Sequence, residues 1–242
     1  MKYRTRLIAN FVSILLSLIP FTAGHAALKN VIYKLPQIDL QPSNAWKIPD
    51  SAGKNVEGYV GQTSVLPGDQ LDVYINTKAT KVNIQFFRMG WYGGRGAALA
   101  GVIKNVQSTN STIPPKFDGI YRGLPPKKDS LFQASFWDKT ATISVPKAWP
   151  SGMYLAKVTT SKGDQSYLPF VVRGTGAVTS LLIHTIFTDM AYDDWGGGSF
   201  YKGYTYPVSD GHAVLLPIQR PFNQDRGAGS FFCLGVSHDS MA

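Results

Sequence analysis

Apolar and polar residues alternate one for one along several stretches of this chain, and that period limits the fold more than any other feature. Leu71, Val73 and Ile75 interleave with Asp72, Tyr74 and Asn76, and Val82, Ile84 and Phe86 with Lys81, Asn83 and Gln85. Residues 141–145, 154–158 and 167–172 continue the theme. Strand side chains point to opposite faces in turn, so this period predicts strands with one buried face. The breaks carry turn chemistry: Leu66-Pro67-Gly68-Asp69, Trp149-Pro150-Ser151-Gly152 and Ser161-Lys162-Gly163-Asp164. Pro presets φ, and Gly accepts the positive φ that many turns require. About seven short strands spaced this way predict a mainly β chain, an immunoglobulin-like antiparallel β-sandwich over residues 56–174. Residues 27–55, with Pro36, Pro42 and Pro49, read as an extended lead-in lying on that domain. The stretch from Val106 to Asp129, with Pro114-Pro115 and Pro125-Pro126, is too long for a hairpin and reads as a crossover or covering loop.

Beyond Gly176 the texture changes. Ser180 to Ile186 is nearly unbroken apolar sequence, as in a strand buried on both faces. It leads into a short helical pattern from Thr188 to Trp195, stopped by Gly196-Gly197-Gly198. A buried strand followed by a helix is how an α/β domain opens. Residues 177–242 hold about one or two such units, and a sheet covered on both faces needs about four strands or more. The expectation is therefore an incomplete, shortened opening of an α/β domain, with the sandwich folding alone and a frayed tail.

The first residues read as an address. Lys2, Arg4 and Arg6 precede an almost uncharged run from Leu7 to Phe21, then small residues up to Ala26. A basic start, an apolar middle and Gly24 and Ala26 before the cut predict a signal peptide over residues 1–26 and a secreted or periplasmic protein. The net charge of +9 contains no Lys/Arg-rich block, so nucleic acid is not an expected partner; the charge reads as solvation, with attraction to an acidic envelope surface left open. A single cysteine excludes a disulfide framework. Four scattered histidines without an HExxH motif exclude the common zinc-hydrolase pattern.

Two pairs of segments carry a resemblance. Phe87-Arg88-Met89-Gly90-Trp91-Tyr92-Gly93-Gly94 is followed at a distance by Trp149-Pro150-Ser151-Gly152-Met153-Tyr154. Ala191-Tyr192-Asp193-Asp194-Trp195-Gly196-Gly197-Gly198-Ser199-Phe200-Tyr201 is followed by Gln219-Arg220-Pro221-Phe222. In order and spacing these resemble the N,N-dimethylformamidase large-subunit-like family over roughly Val56 to Phe222. The resemblance implies a β-sandwich ahead of an α/β domain similar to glutamine amidotransferases. It also implies amide hydrolysis at an iron held by tyrosines and a glutamate, hard oxygen donors that suit iron(III). Tyr192 aligns with a tyrosine of the family's A-Y-N segment and is the one candidate metal ligand carried over. The chain departs from the pattern at Asp193, where Asn is usual, and at Thr188-Asp189-Met190.

Other residues compete for a role. Trp91 and Tyr92 offer an aromatic binding surface or, alternatively, cover the core at a hairpin corner. Cys233 and His238 pair a thiol with a base, without a nucleophile-elbow pattern. Asp189, Asp193 and Asp194 gather carboxylates without a calcium-loop motif, and His184 lies in an apolar run. Ser199 lacks the Gly-x-Ser-x-Gly frame, and Asn110-Ser111-Thr112 fits a glycosylation sequon. Three functions follow as expectations: an exported, shortened and inactive member of an amide-hydrolase family; an envelope-binding module that uses the sandwich; or one part of a split iron-dependent amidase completed by a separately encoded remainder of the α/β domain.

Overall fold

The computed structural model describes residues 31–36, 39–108, 137–176, 192, 195, 219–223, 225–229 and 231. Ten strands run in the order β1 (Ile32–Lys34), β2 (Gln41–Pro42), β3 (Val56–Val60), β4 (Ser64–Val65), β5 (Gln70–Thr77), β6 (Lys81–Met89), β7 (Ala97–Gln107), β8 (Ala141–Ser144), β9 (Gly152–Thr160) and β10 (Gln165–Val172). They form two sheets, one ordered β1-β8-β5-β3 and the other β2-β7-β6-β9-β10-β4. The alternating residues meet between them: Leu71, Val73, Ile75 and Ile143 from the first sheet face Ile84, Phe86, Tyr154, Val158, Leu168 and Phe170 from the second. The mainly β sandwich expected from the period is the observed fold.

The strand order matches the immunoglobulin plan, with β3, β5 and β8 in one layer and β6, β9 and β10 in the other. Two details depart from a purely antiparallel reading. β4 crosses to the second sheet and pairs parallel with β10, and β1 of the lead-in pairs parallel with β8. The lead-in is thus a contributor of edge strands to both sheets, since β2 also pairs with β7.

β7, rich in Ala and Gly, escapes the alternation test because small residues give little contrast between faces. Register shifts interrupt its pairing with β6 at Val82/Ile84 and Phe86/Phe87. At the first shift Asn105 takes a φ of 58°, and its N–H donates to the Asn83 side-chain oxygen at 3.0 Å. A positive φ suits Asn better than most residues, and the extra residue of a bulge demands it. Phe86 and Phe87 are both fully buried, one in each of two separate cores.

The expectation of one buried face fails for β9 and β10. Leu155 and Tyr167 are buried in a second core with Trp46, Phe87, Met89, Ala97, Ala228 and Phe231. The lead-in and the end of the chain together cover the outer face of this sheet. Pro169 is tolerated inside β10 because its parity matches Gln165 and Val171, whose N–H groups point away from β9 to Gly53 and Thr63.

Several described residues beyond 177 pack against the sandwich, while the tail expected to fray lies, apart from Phe231, outside the described residues. Trp195, Arg220, Phe222, Ala228 and Phe231 are all buried. The expected signal peptide, the run from Ser180 to Ile186, and most of the Val106–Asp129 stretch lie outside the described residues.

Candidate functional site

One guanidinium joins the first pair of resemblance segments. Arg88 lies near the end of β6, two residues before the hairpin to β7. Its Nε and Nη2 donate to the Ser151 carbonyl at 3.1 and 2.7 Å, and its Nη1 donates to the Tyr92 hydroxyl at 2.6 Å. A planar fork serves one acceptor with two donors and keeps another for a second partner, which an ammonium cannot do in the same geometry. Gly152 has a φ of 150°, and a Cβ there would come within 3.1 Å of Arg88 Nε. The glycine of Trp-Pro-Ser-Gly is therefore required both by backbone and by the approach of Arg88.

Around this clasp the corner leading into β9 is filled with aromatic rings. The Tyr154 hydroxyl donates to the Pro150 carbonyl at 2.8 Å, a tyrosine corner of the kind found at the start of the equivalent strand in immunoglobulin domains. Two residues on, where antibody domains place a disulfide cysteine, stands Ala156. Trp149 stacks on Tyr154 at 4.9 Å and donates its indole N–H to the Ala100 carbonyl at 3.2 Å. Burial pushes the Tyr154 phenol above its ordinary range.

The hairpin that Arg88 holds is strained. Tyr92, Gly93 and Gly94 take successive φ values of 43°, 66° and 84°. Three left-handed residues in a row, the first bearing a ring, persist only where contacts fix them. The Arg88–Tyr92 bond is such a contact. The two aromatic candidates thus part company: Tyr92 is half-buried and anchors the turn, while Trp91 is 66% exposed and does not cover the core.

A second cluster lies on the outer face of the four-stranded sheet. Tyr59 of β3 stacks on Tyr74 of β5 with ring centres 4.8 Å apart, and Trp137 lies 5.5 Å from Tyr59. Trp195 meets Trp137 edge to face at 5.9 Å, and its indole N–H donates to Glu57 at 2.7 Å. Arg220 is buried beside it and donates to the Trp195 carbonyl at 3.4 Å, while Gln219 donates to the Gly61 carbonyl at 3.3 Å. Burial raises both phenols, with Tyr74 adding to the shift at Tyr59 and Asp72 to that at Tyr74. Neither ring is therefore disposed to become tyrosinate. Among the described residues the buried Tyr59 hydroxyl has no hydrogen-bond partner.

On the opposite layer the lead-in and tail are pinned by backbone carbonyls. The Tyr167 hydroxyl donates to the Trp46 carbonyl at 2.7 Å and accepts from the Ile48 N–H at 2.9 Å. Lys157, buried on β9, donates to the carbonyls of Ala45 and Lys47, and desolvation lowers its pKa. Arg226 reaches the carbonyls of Ala52, Gly53 and Asp50, while its own carbonyl accepts from Ser166. Asp164 is held by the N–H and side-chain amide of Asn55 at 3.1 and 3.0 Å, and the backbone hydrogen bond is the main cause of its lowered pKa. Nothing in the sequence pattern marks Glu57, Arg226 or Lys157, because each acts on a partner distant along the chain.

Tyr192 is 48% exposed, so it does not share the burial of Trp195 three residues on. One phenol oxygen cannot hold iron alone. Among the described residues no group of three His, Cys, Asp or Glu side chains comes together. His184, Asp189, Asp193, Asp194, Ser199, Cys233, His238 and Asn110 lie outside the described residues.

Comparison with known proteins adds one match. The family described as N,N-dimethylformamidase beta subunit-like, C-terminal, matches residues 83–235, from inside β6 through the tail segments docked on the sandwich. No curated protein matches the chain.

Proposed function

From the premise that this chain belongs to the N,N-dimethylformamidase beta subunit-like family, we propose that it is an exported, catalytically inactive member of that amide-hydrolase family. The observation that supports the reading is what the shared segments do here. Arg88 bridges the hairpin to the Ser151 corner, Tyr154 closes that corner, and Trp195 and Gln219 seat the later segments on the sandwich. Each of these side chains is engaged in holding structure, which leaves it unavailable to a substrate carbonyl. Iron would supply amide polarisation or an activated water in a complete site of this kind, with Tyr192 as one ligand.

The test is incubation of the purified chain with ferric or ferrous iron and a small N-substituted formamide, following amine release. The reading predicts release no faster than with iron alone. Turnover lost on Tyr192→Phe would refute it, whereas turnover that appears only after a separately encoded remainder is added would favour the split-enzyme alternative.

The exposure of Trp91 favours a second reading, that the sandwich serves as a binding module for an envelope component. A strained turn braced by a guanidinium is a preorganised mount for an exposed indole. Retention of the chain on isolated envelope material, reduced by Trp91→Ala, is the expected outcome. Equal retention of both proteins would exclude Trp91 as the contact.

A further inference from the structure

Three loops meet at one end of the sandwich, and hydrogen bonds tie each to the next. The turn at 66–69 joins the corner at 145–151 through Gly68 N–H to the Val145 carbonyl at 3.0 Å and Val145 N–H to the Asp69 carbonyl at 2.9 Å. That corner joins the hairpin at 90–96 through Arg88, which bonds both Ser151 and Tyr92. The lead-in reaches the same end, since the Trp46 indole donates to the Arg95 carbonyl at 2.8 Å and Lys47 lies 5.6 Å from the Trp46 ring centre.

Two exposed large apolar side chains sit on the tips of these loops, Trp91 at 66% and Leu66 at 36% exposure. Around them stand the exposed cations Arg95, Lys147 and Lys47. The three loops contain a single acid, Asp69, whose carboxylate accepts from the Leu66 N–H at 2.8 Å within its own turn, while the lead-in carries Asp39 and Asp50. The three loops are thus apolar at their tips and basic around them, and their one acid is tied into its own turn.

We infer that this end of the sandwich docks on an anionic lipid surface, with Trp91 and Leu66 entering the interface and Arg95, Lys147 and Lys47 facing lipid headgroups. Indole rings partition to the headgroup level, and flanking Lys and Arg extend into an anionic layer. Apolar tips on separate loops suit a surface better than a groove, because they present no concavity to wrap a chain of sugars. The inference deepens the envelope-binding reading and rests on it.

The test is co-sedimentation of the full chain with phosphatidylcholine vesicles, with and without phosphatidylglycerol, alongside retention on an acidic polysaccharide resin. Binding is expected only with phosphatidylglycerol present and is expected to fall as salt rises. Trp91→Ala should weaken it about tenfold. Neutralising Arg95 or Lys147 with Gln should weaken it about fivefold each. All three side chains are exposed, and unchanged circular dichroism would confirm that the variants fold. Vesicle binding insensitive to Trp91→Ala, or equal on neutral vesicles, would overturn the inference. Polysaccharide retention through Trp91 without vesicle binding would overturn the lipid assignment and keep the envelope reading. Absence of binding to both would remove both.

Discussion

Trp195 donates its indole N–H to the Glu57 carboxylate at 2.7 Å, tying a residue of the later family segment to the first long strand of the sandwich. Its ring lies edge to face on Trp137, which in turn covers Tyr59. Removing this ring opens a cavity over the outer face of the four-stranded sheet and leaves the Glu57 acceptor without its indole donor. Trp195→Ala should lower stability by about 3–5 kcal/mol in urea unfolding, and cleavage of the tail by trypsin should accelerate. Glu57→Gln keeps an acceptor in place and should cost only about 1 kcal/mol. Equal losses for the two variants would mean that the contact is not dominated by ring packing.

The Arg88 clasp predicts that charge alone is insufficient. Arg88→Lys keeps a cation but cannot serve the Ser151 carbonyl with two donors while also reaching the Tyr92 hydroxyl. It should lower stability by about 1.5–3 kcal/mol, measured by thermal unfolding against Arg88→Ala. Full retention of stability in the lysine variant would show that the fork geometry is unimportant.

Tyr154→Phe isolates the corner hydrogen bond, since the ring keeps its stacking on Trp149 and Phe170. The expected cost is about 1 kcal/mol in chemical denaturation. Tyr154→Ala removes the ring from the centre of the core as well and should cost about 3–5 kcal/mol.

Asp164 gives the fold an acid-sensitive limb. Its pKa is lowered in the folded chain, first by the Asn55 N–H and further by the Asn55 and Thr160 side chains. A depressed carboxylate binds fewer protons folded than unfolded, so its stabilisation is complete above the ordinary aspartate range. It is lost progressively as pH falls through the folded value. Asp164→Asn should therefore lower stability at neutral pH and flatten the acid side of a stability-against-pH curve. An unchanged acid slope would assign that limb to other carboxylates.

The sequence made the inner faces of β5, β6, β8 and β10 readable because Leu71, Ile84, Ile143 and Phe170 alternate with less apolar neighbours. The same test underestimated the burial of β9, where Leu155 faces Trp46 and the tail; a covering supplied from distant parts of the chain leaves no local period. The turn chemistry of Trp149-Pro150-Ser151-Gly152 is legible in the sequence, whereas the closing bond from Tyr154 to the Pro150 carbonyl leaves no local mark. Trp91 and Tyr92 were paired as one candidate, yet a positive φ and a guanidinium partner turn one ring inward as an anchor and leave its neighbour exposed. Glu57 and Arg226 carried no signal, because a carboxylate on a strand and an arginine in a turn are ordinary until their partners arrive.

The central claim is that Trp195 and the described residues of 219–231 are part of the sandwich's own packing. Native-state amide hydrogen exchange on the full chain, read by mass spectrometry, tests it most directly. Peptides covering residues 219–231 should be protected and should open together with β3 and β10, and Trp195→Ala should release them while β6 and β9 stay protected. Rapid exchange throughout 219–231 in the unaltered protein, with β6 and β9 still protected, would contradict it.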